Sequence, residues 1–106
     1  MAERKVLIIQ FAVRAGDTLE AFHAIEDVIV QAFEQNRFAT VDGHDYGEGV
    51  FNIFIYPRGA WGPVVERVKA FLKLKGWLDR ATIAKGLASG KWQVIWPVGY
   101  EGAFGL

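Results

Sequence analysis

Asp42-Gly43-His44-Asp45-Tyr46-Gly47-Glu48-Gly49 runs directly into the apolar stretch Val50-Phe51-Asn52-Ile53-Phe54-Ile55-Tyr56-Pro57. Titratable groups and glycines therefore stand against a segment apolar enough to be a buried strand. A polar line that enters a sheet in this way must be paired, bound to a ligand or exposed on one face. Spacing predicts a hairpin of Ala39–Tyr46 and Val50–Pro57, closed by Gly47-Glu48-Gly49. With Glu48 at the tip, His44 falls opposite Asn52, Asp42 opposite Phe54 and Thr40 opposite Tyr56. Val41, Phe51, Ile53 and Ile55, with Gly43 among them, then form the core side.

The rest of the chain supplies partners for that hairpin. Lys5 to Val13 is rich in β-branched and aliphatic residues, with only Gln10 polar inside it, which reads as a central strand covered on both faces. Gly16-Asp17-Thr18 breaks it, and Asp17 with Glu20 predicts a capping box for a helix to about Gln35. Leu19, Phe22, Ile25, Ile29 and Phe33 share one helix face, while Glu20, His23, Asp27, Gln31 and Glu34 share the other. Pro63 suits the first turn of a second helix and Gly76 its C′ position, with Val64, Val65, Val68, Phe71 and Leu72 as the buried stripe. Ala81–Lys85 and Lys91–Pro97 are expected strands around Ala88-Ser89-Gly90. The tail from Val98 to Leu106 either docks on the sheet or frays.

This order, β-α-β-β-α-β with the last strand open to doubling as a hairpin, is the α+β ferredoxin-like plait. Two helices cover one face of an antiparallel sheet, and the crossover rule places strand one beside strand three. A chain of 106 residues is expected to make one such domain, residues 1–106.

The uncovered sheet face then becomes the functional question. Val6, Ile8, Gln10, Phe54 and Tyr56 are the interface candidates on it, with Asp42, His44 and Asn52 alongside. Hydrophobic residues make up 52% of the chain, a surplus that points to cover by a partner. A homodimer or a heterologous protein partner is the leading expectation, in the manner of a protein-binding module.

The alternative is a small-ligand site or a cofactor-free enzyme in a pocket around His44, with Asp42, Asn52 and Tyr56 as further ligand-binding candidates. A His–carboxylate pair, His44 with Asp42 or Asp45, is the minimum equipment for general acid–base work. No nucleophile or oxyanion hole accompanies it, so no catalytic residue is assigned. Asp42, His44, Asp45 and Glu48 could offer oxygen and imidazole to a metal, but with two histidines and no cysteine a structural zinc site lacks donors. No metal and no cofactor are expected.

Other functions are disfavoured. Gly43, Gly47 and Gly49 lie between strands, not at a strand-to-helix turn, and read as turn and bulge residues, not a dinucleotide fingerprint. Phe54, Tyr56, Trp92 and Trp96 are the only candidate RNA platform, and twelve basic residues merely balance twelve acidic ones. Neither nucleic acid nor membrane is an expected partner. The apolar run after the N-terminus is too short for a secretory signal, and the absence of cysteine fits a reducing, cytoplasmic setting.

The run Asp42 to Gly49, followed by Asn52-Ile53-Phe54-Ile55 and later by Val94-Ile95-Trp96-Pro97, resembles a group of small bacterial ferredoxin-like proteins of largely unassigned function. Some of these are regarded as immunity-type protein-binding partners. The resemblance implies the plait and protein binding, and it brings no active site.

Overall fold

The computed structural model describes residues 5–35, 37, 39–87, 89–100, 104 and 105. Strands β1 (Leu7–Ala12), β2 (Ala39–Gly47), β3 (Val50–Pro57), β4 (Ala81–Gly86) and β5 (Trp92–Trp96) alternate with helices α1 (Leu19–Gln35) and α2 (Trp61–Leu74). A 3-10 turn at Leu78–Arg80 leads into β4. The sheet order is β2-β3-β1-β4-β5, with every neighbouring pair antiparallel. Strand β1 thus lies beside β3, as the crossover rule requires. The β4–β5 hairpin adds a fifth strand at one edge, which takes the order beyond that of a four-strand plait.

Both helices pack on one sheet face. Leu7, Ile9 and Phe11 from β1, Phe51, Ile53 and Ile55 from β3, and Ala81 and Ile83 from β4 share a core with Phe22, Ile29, Phe33, Val64, Val68 and Leu72 from the helices. Each large side chain here contributes about 1.5–3 kcal/mol by leaving water.

Local chemistry explains the helix boundaries. The first helix is capped by Thr18, whose Oγ1 accepts from the Ala21 amide at 3.1 Å, and not by Asp17 as the box pattern suggested. Asp17 Oδ2 instead accepts from the Arg14 amide and from Arg80 Nη2, each at 2.7 Å, tying the β1–α1 loop to the start of β4. The Arg80 side chain beside Asp17, and then the Arg14 amide, hold that carboxyl below the usual aspartate value. The second helix ends in a Schellman motif, with Trp77 N–H donating to Leu72 O at 2.8 Å and Gly76 N–H to Lys73 O at 3.1 Å. Gly76 takes φ +77° there, the left-handed conformation the motif demands.

The β2–β3 hairpin departs from the expected register in one instructive way. Glu48 and Gly49 both have positive φ, 53° and 78°, and form a two-residue turn between Gly47 and Val50. The turn centre therefore lies between Glu48 and Gly49, not on Glu48. His44 faces Ile53 and Asp45 faces Asn52, each one residue out from the symmetric pairing. A bulge between Val41 and Gly43 then takes up the extra residue, with Gly43 at φ +118°. Beyond it the expected pairs return, Val41 with Ile55 and Thr40 with Tyr56.

Candidate functional site

The bulge decides which face receives His44. Side chains alternate along a strand, so a one-residue shift turns His44 from the bare face to the helix-covered face. The pairing of His44 with Asn52 and of Asp42 with Phe54 is accordingly replaced by Asp45 with Asn52 and Gly43 with Phe54. His44 now meets α1 at the sheet's edge.

Glu26 is what it meets. His44 Nδ1 stands 2.9 Å from Glu26 Oε1 and 3.1 Å from Oε2, with the two side chains 34% and 12% exposed. An ionised carboxylate has no proton to give, so Nδ1 carries the hydrogen and donates it. In the neutral ring this leaves Nε2 as an acceptor. His23 Nε2, one helical turn before Glu26, approaches His44 Nε2 to 3.3 Å and supplies the hydrogen in that case.

Aromatic packing fixes the ring as well. His44 stacks on Phe51 with centroids 5.0 Å apart and 21° between planes, and Phe51 stacks in turn on Phe22 at 5.0 Å and 14°. Phe51 is fully buried, so the imidazole lies on a rigid floor. Tyr46 stands edge-on to the same Phe51 at 6.3 Å and is half exposed. The arrangement is an oriented imidazole, backed by a nearly buried carboxylate, with a second imidazole at its Nε2.

The other sequence candidates do not join it. Asp42 is exposed at the bulge, and Asp45 lies next to Asn52 on the far face. Asn52 is fully buried there, with its Oδ1 accepting from Gln10 Nε2 at 2.9 Å. Gln10 Nε2 also donates to Gly105 O at 2.7 Å. Tyr56 is half-buried on the same far face, across from Thr40. Among the described residues no three His, Cys, Asp or Glu side chains converge as a metal-binding group. His23 and His44 present two nitrogens to one point and no more.

Of the interface candidates, Ile8 and Gln10 are covered by the chain itself, whereas Val6, Phe54 and Tyr56 are half-buried. Ile8 is fully buried and Gln10 is 9% exposed, although no helix packs over them. A Cβ built on Gly86 would meet Val6 Cγ1 at 2.7 Å and Trp92 Cζ3 at 3.3 Å, so Val6 and Trp92 close together on this face. Phe104 sets its ring edge against Trp92 at 6.1 Å, and Gly105 bonds Gln10. The tail thus docks where the sequence left docking and fraying open, although residues 101–103 and 106 lie outside the described residues. Trp96 packs against the helix-side core and donates Nε1–H to Leu78 O, so the four aromatics form no common platform.

Sequence reasoning missed Glu26 and set His23 on the solvent side, whereas His23 is half-buried. The signal was present in spacing. Phe22, Glu26, Ile29 and Phe33 follow the helical repeat of a buried stripe, which places one carboxylate in an apolar row. No helix among the described residues is long and apolar enough to cross a membrane. No family model, curated protein or solved structure matches this chain.

Proposed function

We propose that the protein binds a small ligand at His44 and moves a proton there, as a cofactor-free acid–base site on a ferredoxin-like plait. In this reading β4-β1-β3-β2 are the plait's four strands and β5 is an addition at the edge. The observation that carries it is the Glu26–His44 contact at 2.9 Å, which commits Nδ1 and leaves Nε2 to exchange a proton. His23 stands where it can pass that proton on or share it. No neighbouring group in the arrangement acts as a nucleophile, so the reaction class is proton abstraction and return, as in tautomerisation of a carbonyl compound. A cytoplasmic setting accompanies this reading, since a cysteine-free chain makes no use of an oxidising one.

The test is deuterium exchange at the central carbon of acetylacetone, a stable carbon acid, followed by NMR. Saturable exchange that drops about 100-fold in His44→Ala, and equally in His44→Phe, which keeps a ring over Phe51, supports the site. Exchange that never saturates, or that survives both substitutions, removes it.

Protein binding through the bare sheet face is the second reading, and a homodimer its simplest form. The Gln10–Gly105 contact makes it conditional, because a partner must displace the tail to reach Ile8, Gln10 and Asn52.

A further inference from the structure

His23 and His44 come from different elements, α1 and the edge strand β2, yet their Nε2 atoms stand 3.3 Å apart. That is beyond the usual span of a hydrogen bond donated by N–H. The rings are tilted by 49° with centroids 4.7 Å apart, too close for the two nitrogens to point straight at each other. A proton shared between them is held weakly. The spacing suits a metal ion better. Two nitrogens bound to one ion at about 2.0–2.1 Å stand about 3.3–3.4 Å apart at the tetrahedral angle, and about 2.9 Å apart at a right angle.

The surroundings prepare these nitrogens for an ion. Glu26 accepts the Nδ1–H of His44 at 2.9 Å, which leaves the lone pair on Nε2. A carboxylate behind a ligand imidazole fixes its tautomer, steadies the ring and makes it a better donor. Phe51 lies against both rings, with centroids 5.0 Å from His44 and 6.1 Å from His23. The His44 side chain is 34% exposed and His23 is half-buried, so an ion has a way in and water can fill its remaining positions.

We propose that His23 and His44 bind one exchangeable zinc ion through their Nε2 atoms, with Glu26 as the positioning residue. Imidazole donors at this separation fit a tetrahedral ion and not one that prefers right angles, such as square-planar copper(II). Magnesium and calcium take oxygen donors and are poor matches. Two protein nitrogens are fewer than a structural or catalytic zinc keeps, and among the described residues no third His, Cys, Asp or Glu converges with them. The ion is therefore one that comes and goes, clamping α1 to β2 while it is bound. Its binding does not rest on the proton-transfer reading; where His44 does move a proton, the ion occupies its Nε2 and stops the transfer.

The test is zinc chloride titrated into the full chain after treatment with a chelator, followed by imidazole nitrogen NMR and thermal unfolding. Zinc is expected to saturate at one ion per chain, to move the Nε2 signals of both histidines together and to raise Tm, since the assembled pair exists only in the folded chain. Glu26→Gln should weaken binding about 10–100-fold. His23→Gln and His44→Phe, the second of which keeps a ring over Phe51, should each weaken it at least as much, and unchanged circular dichroism confirms that each variant folds. Magnesium should shift neither histidine. Zinc bound without any proton exchange at a carbon acid leaves this inference standing and removes only the catalytic one. Half-saturation only above about 1 mM, zinc affinity unchanged in Glu26→Gln or in the double His23→Gln/His44→Phe variant, or equal saturation by magnesium would overturn the proposal.

Discussion

Glu26 and His44, eighteen residues apart in sequence, meet at 2.9 Å across the join between α1 and β2. The contact links a helix on the sheet's covered side to an edge strand. It constrains the orientation of the His44 ring, and His23 lies one turn before Glu26 on the same helix. Glu26→Gln keeps the shape of the side chain but removes the charge. A hydrogen bond to a charged group contributes roughly 1.5–3 kcal/mol, and the one-third exposure of His44 argues for the lower end. Urea unfolding at pH 7 should therefore show a loss of about 1.5 kcal/mol for Glu26→Gln. The Nδ1–H tautomer of His44, read from imidazole nitrogen shifts, should also lose its dominance. An unchanged tautomer would mean that the carboxylate does not orient the ring.

Gly43 is the hinge on which that contact depends. Its φ of +118° is a conformation that side chains with a Cβ rarely adopt, yet a Cβ built there meets nothing within 4 Å. The cost of Gly43→Ala is thus a backbone cost, about 1–3 kcal/mol. If the chain relieves it by ironing out the bulge, the register slips and His44 leaves Glu26. The expected outcome is lowered stability together with altered His44 imidazole shifts. A variant as stable as the parent would show that the bulge is not strained.

The bulge also marks where reading the chain as a string of residues stops working. Lys5 to Val13, the α1 and α2 stripes and the strands after Gly76 are legible because apolar period and Gly or Pro punctuation agree there. The glycines of this hairpin are legible as turn and bulge residues, but which of them carries the bulge is not, because a glycine at φ +118° and an ordinary strand glycine are written with the same letter. One inserted residue changes no propensity but reverses the face of Tyr46, Asp45 and His44. The site was legible as a polar line and illegible as a place, since its partner Glu26 lies in a helix and is reached only through tertiary packing. The tail over Gln10 was likewise undetermined, because a Gly-rich segment carries no period to read.

Asp17 contributes to the acid limb of stability. Its carboxyl is held below the ordinary value by the Arg80 side chain and the Arg14 amide, so it binds its proton less readily folded than unfolded. A group depressed in this sense adds stability above its unfolded value, about 3.9, and loses it as pH falls through the lower folded value. Thermal unfolding measured from pH 7 to pH 2 should show the parent losing Tm more steeply than Asp17→Asn below about pH 4. Parallel curves would mean that the Arg14–Asp17–Arg80 clamp carries no linkage.

The tail contact makes a prediction about association. Ile8, Ala84 and Asn52 are fully buried on a face that no helix covers, and Asn52 Nδ2 has no acceptor among the described residues. Gly105, through Gln10, and Phe104, through Trp92, bring the tail onto that face. Truncation after Gly99 removes both contacts while leaving β5 and its pairing with β4 intact. The exposed Ile8 row should then seek other cover, since a contiguous apolar patch on a small sheet is either shielded or sticky. Sedimentation at tens of micromolar should show the truncated chain shifting towards dimer, with increased binding of a hydrophobic dye, while Phe54→Lys in the same background restores the monomer. A truncated chain that stays monomeric and dye-free would show that Gln10, Asn52 and Ile8 need no cover, and the sheet-face route to a partner would lose its basis.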